Sequence, residues 1–129
     1  MLRNQEIDDY IAQSSATKEQ KKYFEFARNK VHEIWPTTVE KISYAMPAFY
    51  PDEKAKGIQL LIYLSLNKKW LGFYPMPAFI YANESLLNEL NLNFSKGAIQ
   101  IPYDTSKDIL TDLLERAIEF NGRKYLEDK

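Results

Sequence analysis

The apolar residues of this chain follow two different rhythms, and each marks a different kind of element. Near the start, Ile7, Tyr10 and Ile11 are spaced i, i+3, i+4, which puts them on one face of a helix over residues 4–15. Thr17-Lys18-Glu19-Gln20 has the hydroxyl and glutamine spacing of a capping box. A second helix is therefore expected over 18–35, with Phe24, Ala27, Val31, Ile34 and Trp35 as its stripe and Pro36 as its stop. Then the period shortens. Over 58–66 every even position is a large aliphatic residue, while Gln59, Leu61, Tyr63 and Ser65 occupy the odd ones. Alternation of that length predicts a strand with one apolar face. Asn67-Lys68-Lys69 gives a polar connection, and residues 70–74 the returning strand of a hairpin.

The remaining segments read less sharply. Residues 37–44 alternate loosely as a first strand, with Glu40 sharing a side with Ile42 and Tyr44; Met46-Pro47 then interrupts the ladder. Glu40 is expected either at the wet end of that strand or as a partly buried carboxylate. Residues 52–57 read as a polar turn. Pro77 suits the first position of a helix, or of two short helical pieces, running to Leu90, and residues 91–94 read as loop. A short strand over 98–102 ends at Pro102. Asp104, Thr105 and Ser106 offer N-caps for a last helix over 107–125, which carries the stripe Leu110, Leu113, Leu114, Ala117 and Ile118 and which Gly122 ends or frays. Helical stripes need an apolar surface to cover, and the strands supply it. The expected architecture is α+β: one domain over 1–129, a two-layer sandwich with a mostly antiparallel sheet of about four to five strands covered by helices.

Composition narrows the chemistry. Aromatic residues make up 14% of the chain, so a core or groove here is rich in rings. A net charge of −1 leaves no basic face for a phosphate backbone, and nucleic acid is not an expected partner. There is no cysteine, which removes disulfides, thiolate nucleophiles and thiolate metal ligands. The longest apolar run, 60–66, is far shorter than the ~20 residues of a membrane span. With no signal-peptide pattern at the start, the reading defaults to the cytoplasm.

No catalytic motif stands out. Four unclustered glycines make no phosphate loop, and His32 is the single histidine. His32, beside the stripe of its helix, reads as structural or as a surface position, and the balance leans against an enzyme. The distinctive feature is a near-repeat. Tyr44-Ala45-Met46-Pro47-Ala48-Phe49 is echoed by Tyr74-Pro75-Met76-Pro77-Ala78-Phe79. Two such strand exits either pack as core, the favoured reading, or frame a groove. For a groove, the ligand-binding candidates are Glu40, Tyr44, Met46, Phe49, Trp70 and Tyr74.

Several stretches together resemble the YdhG-like family of small intracellular bacterial domains of mostly unknown function. They are Ile7-Asp8-Asp9-Tyr10-Ile11, Val31-His32-Glu33-Ile34-Trp35-Pro36, Glu40-Lys41-Ile42-Ser43-Tyr44-Ala45-Met46-Pro47-Ala48-Phe49, Trp70-Leu71-Gly72-Phe73-Tyr74-Pro75 and Ser95-Lys96-Gly97-Ala98-Ile99-Gln100-Ile101-Pro102. The block from Glu40 to Phe49 is the most specific of them. The resemblance implies a sandwich comparable with frataxin. It also implies, for one branch, an iron chaperone serving iron–sulfur cluster or haem assembly, whose protein partners would belong to those pathways. Trp70 stands where relatives often carry histidine, and no iron ligands map onto the sequence residue by residue. Two functional readings follow: an iron-binding chaperone, resting on the resemblance, with weak binding by surface carboxylates of the first two helices, where Asp8, Asp9, Glu19 and Glu25 are available among interspersed basic residues; and a non-enzymatic module that binds a small ligand or a protein through an aromatic groove.

Overall fold

Thr17 caps its helix as its spacing requires. Its hydroxyl accepts from the Gln20 amide, and the Gln20 side chain accepts from the Thr17 amide. The computed structural model describes residues 3–128, so residues 1, 2 and 129 of the expected domain lie outside the described residues. Helix α1 (Gln5–Gln13) starts at Asn4, whose Oδ1 accepts from the Glu6 amide, and α2 (Lys18–Ile34) follows. Strands β1 (Val39–Ser43), β2 (Met46–Tyr50), β3 (Ile62–Leu66) and β4 (Trp70–Tyr74) form two successive hairpins. Short helices α3 (Pro77–Ala82) and α4 (Glu84–Glu89) lead to β5 (Asn93–Phe94) and β6 (Ile99–Pro102), and α5 (Lys107–Glu127) closes the chain. The sheet runs β1-β2-β3-β4-β6-β5 and is antiparallel throughout.

Six strands among the described residues, rather than four to five, arise from two departures. The first is at Tyr44-Ala45, where the chain turns back at once: both residues have left-handed backbone (φ 52° and 61°), the pair of conformations a type I′ hairpin turn needs. Met46-Pro47 therefore does not interrupt a strand; it begins β2. Pro47 lies opposite Ile42 on the edge strand β1, while the pairing of β2 with β3 begins only at Ala48. The missing N–H thus faces no ladder. The second departure is β5, two residues that pair with Gln100 and Ile99 within the expected loop.

The strand expected from residue 58 starts at Ile62. Ile58 is 86% exposed despite its place in the alternation. Local hydrogen bonds take residues 56–59 into a turn, with the Gln59 amide donating to the Lys56 carbonyl and the Lys56 amide to Gln59 Oε1.

Register sorts the sheet into two faces. Phe49, Ile62, Leu64, Leu71, Phe73, Ile99 and Ile101 point to one side, and each is fully buried. They pack with Ile7, Phe24, Ala27, Val31, Leu110, Leu113, Leu114 and Ala117 of α1, α2 and α5 in one main core. The other side carries Lys41, Ser43, Met46, Ala48, Tyr63, Ser65, Trp70, Gly72, Tyr74 and Gln100. A smaller cluster of Ala48, Tyr50, Ala55, Leu60 and Tyr125 covers one end of it.

Gly122 does not end α5; it lies inside the helix, where a Cβ would press into the Trp35 ring. That ring is held by its Nε1–H donating to the Pro51 carbonyl at 3.0 Å. Alanine normally gains about 1 kcal/mol over glycine in a helix. Here Gly122→Ala is expected to lose about 1–2 kcal/mol instead, because overpacking outweighs propensity. Urea unfolding of the single variant checks the sign.

Candidate functional site

The sheet's two faces divide the six candidate residues. Glu40 and Phe49 are cross-strand partners on the helix-covered face. Met46, Trp70 and Tyr74 belong to the other face, and Tyr44 sits on the turn beside it. The two copies of the near-repeat do not form matching exits. The first spans a turn and β2; the second runs from the end of β4 into α3. Strand β3 separates β2 from β4 in the sheet.

On the covered face, Glu40 is the centre of a buried charge network. The carboxylate takes a two-pronged contact from Arg28, Nε to Oε2 and Nη2 to Oε1, both at 2.7 Å. His32 Nε2 lies 2.8 Å from Oε2, and the Asn4 amide donates to Oε1 at 2.8 Å. A carboxylate only accepts, so His32 carries its proton on Nε2. Its Nδ1 is buried and meets no hydrogen-bond partner among the described residues. Arg28 is fully buried, and its Nη1 reaches Asp8 Oδ1 at 2.6 Å and Glu25 Oε1 at 2.9 Å. Arg3 adds a second guanidinium to Asp8 and Glu25.

The charges answer one another. Burial pushes the Glu40 carboxyl up, but hydrogen bonds from Arg28, then from His32 and the Asn4 amide, outweigh it and hold the group down at about 2. Burial works against the charge on Arg28, and the hydrogen bonds with Glu40, Asp8 and Glu25 more than restore it, so its pKa is raised. Arg28 bonding holds the Asp8 carboxyl below its usual value. This network ties the start of α1, the middle of α2 and the edge strand β1 together. It leaves little for a metal, since Asp8 and Glu25 already face two arginines. Among the described residues no group of three histidine or acidic side chains is arranged to hold a metal ion.

Arg28 escaped sequence reasoning, although a signal existed: it follows Phe24 by four and precedes Val31 by three, on the apolar stripe of α2. The reading of Glu40 as a partly buried carboxylate had its partner within that stripe.

The opposite face is different in kind. Tyr44 is 85% exposed, and its ring meets Tyr63 edge-on at 6.1 Å and 71°. Burial raises the Tyr63 phenol, a hydrogen bond with Ser43 opposing it. Across the sheet, Tyr74 lies over Gly72, its hydroxyl 3.1 Å from Ser65 Oγ; a Cβ on Gly72 would collide with both. Gly72 is thus the close approach that an isolated strand glycine suggests. Trp70, Tyr74, Tyr63 and Met46 are half-buried. The helices contribute their buried apolar residues to the main core instead, apart from Tyr125 near the end of α5.

The turn that presents Tyr44 is strained. Left-handed backbone in an L-residue other than glycine costs roughly 1–2 kcal/mol, and here two such residues adjoin. Asn-Gly would suit this turn better than Tyr-Ala. Phe49, by contrast, is fully buried in the main core, edge-on to His32 at 6.3 Å, and offers no surface to a ligand.

No protein-family model and no curated protein matches the chain. A solved structure is similar to it: a protein from the DUF1801 family (YdhG) from Bacillus subtilis, with a TM-score of 0.81 and 22% identity, over 96% of this chain and 94% of that one. At this identity the likeness speaks for the fold alone. The fold is YdhG-like, as the resemblance implied, and the likeness carries nothing about a frataxin-like branch or about iron. Among the described residues no helix is long and apolar enough to cross a membrane.

Proposed function

We propose that this protein is a non-enzymatic binding module that docks a protein partner on the aromatic face of its sheet. The observation that carries the reading is Tyr44, 85% exposed on two adjacent left-handed residues and leaning on Tyr63. Strain of this kind persists where the surroundings over-determine it, and it concentrates at sites that bind. Exposed tyrosine, tryptophan and methionine are the residues that anchor protein interfaces. The exposed Tyr44 and the half-buried Tyr63, Trp70, Tyr74 and Met46 supply such residues on one face, with Ser43 on β1 and Gln100 on β6 flanking them as hydrogen-bonding groups. The Tyr74 ring fills the space above Gly72, so this area is a surface for an extended partner more than a cleft for a small molecule.

The iron-chaperone reading has less behind it. Its acidic candidates Asp8 and Glu25 are neutralised by Arg3 and Arg28. An acid–base enzyme is also disfavoured, because the one imidazole is buried against Glu40.

Replacing the turn separates binding from stability. Tyr44→Asn with Ala45→Gly is expected to stabilise the fold by about 1–2 kcal/mol, since both residues suit left-handed backbone. The same variant should lose the partner. Photo-crosslinkers placed at positions 44 and 70 in living cells should trap one common protein that a crosslinker at the exposed Glu115, on the helix side, does not trap. If no common protein is trapped, or if the turn variant still supports trapping from position 70, the proposal is wrong.

A further inference from the structure

Where the cluster of Leu60 and Tyr125 covers the end of the sheet face, a hollow of about 350 Å³ opens between the 56–60 turn, the exit of β4 and the last turns of α5. Its volume is within the range of small-molecule pockets, roughly 300–1,000 Å³. Ile58, Leu60 and Met76 give it an apolar lining. Two features of its wall are unusual.

The first is Asn121, only 7% exposed. Its Nδ2 donates to the Leu61 carbonyl at 2.7 Å and to the Pro75 carbonyl at 2.8 Å, fastening the two walls together. Both neighbours are acceptors, which fixes the orientation of the amide. Both N–H groups are then used, while Oδ1 accepts from no group among the described residues. Oδ1 is not among the fully enclosed polar atoms that lack a partner, and Asn121 lines the hollow. A nearly buried side chain in the wall of the hollow thus carries an oxygen that accepts from none of the described groups.

The second is Met76, whose backbone (φ 74°, ψ 147°) lies close to a region that is essentially glycine's own. Pro77 bars it from helical geometry, and the Asn121 contact to Pro75 holds the approach. A strained wall residue with an adaptable thioether suits a ligand contact.

Charge completes the description. Lys56 and Lys124 stand at the hollow with one acid, Asp128, while the Tyr125 hydroxyl donates to Asp52. Among the described residues that line the hollow the lysines outnumber the acids by one, with Asp52 just outside the lining. That acceptor, an apolar lining and a lysine-bearing rim ask for three matching parts in one molecule. We infer that the hollow between Leu60, Met76 and Asn121 is a binding site for a small apolar carboxylate that carries an N–H donor. The N–H would meet Asn121 Oδ1, the apolar body would rest on Leu60 and Met76, and the carboxylate would face Lys56 and Lys124.

Three probes test the parts: indoleacetate has all three, naphthaleneacetate lacks the N–H, and indole lacks the carboxylate. Amide resonances of the whole chain are followed during titration. Indoleacetate is expected to shift residues 58–60, 76–78 and 121–124 saturably, with a dissociation constant on the order of 1 mM or tighter. Naphthaleneacetate should bind about fivefold more weakly, the worth of one hydrogen bond. Lys124→Glu should weaken indoleacetate and leave indole unchanged. Ala78→Trp, at an exposed position of the mouth, should block all three probes; should that variant fail to fold, Lys124→Glu on the helix surface carries the comparison. No saturable shift below about 10 mM, equal binding of the two acids, or indifference to Lys124→Glu would overturn the assignment. None of these results depends on the aromatic face, so the two proposals stand or fall separately.

Discussion

Glu40→Gln is expected to destabilise the protein by about 3–5 kcal/mol, read as a shift of the urea midpoint at unchanged slope. The reason is the partner left behind. Arg28 is fully buried, and two of its three nitrogens bond to this carboxylate. Its remaining acids, Asp8 and Glu25, reach only Nη1, at the network's more exposed side. An amide cannot replace a second anionic oxygen, so the guanidinium would stay buried and under-compensated. A double replacement, Arg28→Met with Glu40→Leu, should recover most of the loss, because it removes the stranded charge as well. Had Glu40 been a site residue alone, the single change would leave stability untouched.

The same pair sets an acid limit. Glu40 is held at about 2 in the folded protein against 4.5 for an ordinary glutamate. A depressed folded value means that the stabilisation is fully present above the unfolded value. It is lost as pH falls from there through the folded value. Unfolding free energy should therefore drop by about 3 kcal/mol between roughly pH 5 and pH 2 on account of this group. Glu40→Gln should flatten that part of the profile; an unchanged acid slope in the variant would assign the slope to other carboxylates.

Phe49→Ala is expected to cost about 3–5 kcal/mol, the usual loss for a phenylalanine removed from a core. Phe49 is fully buried, with Glu40 and Ile62 as cross-strand neighbours and His32 against its edge. The cavity would open beside the charge network, so Phe49→Ala and Glu40→Gln should not add independently. Thermal unfolding of the two single variants and the double tests this. A loss below about 1 kcal/mol for Phe49→Ala would contradict its place in the core. The comparison with the Tyr44 turn variant is direct: one residue of the near-repeat maintains the fold, and its neighbour five positions earlier strains it.

Much of the framework was legible residue by residue. The capping box at Thr17, the stripes of α2 and α5 and the alternation through Ile62, Leu64 and Leu66 all reappear in the structure. These signals span a few residues, and the physics behind them is equally short in range: a helix turn, a pleat, a cap. Where alternation misled, at Ile58, the residues had the right period and no strand to pair with, because β2 ends at Tyr50 and the Asp52 and Gln59 side chains bond the local backbone instead. The Tyr44-Ala45 turn was hidden for the opposite reason. Neither residue favours it, and it is the β1–β2 ladder that imposes it.

The sequence by itself thus determined the helices, the β3–β4 hairpin, the α+β class and the absence of thiol chemistry, since each depends on residue type and near neighbours. Only the tertiary structure decided which face of the sheet each candidate occupies. Register alternates strictly, so one residue's difference sends Phe49 into the core and Ala48 to the far side. It also decided that Glu40 belongs to Arg28, twelve residues away and on another element. A buried charge needs a partner, but nothing in the local sequence states where the fold will bring one from.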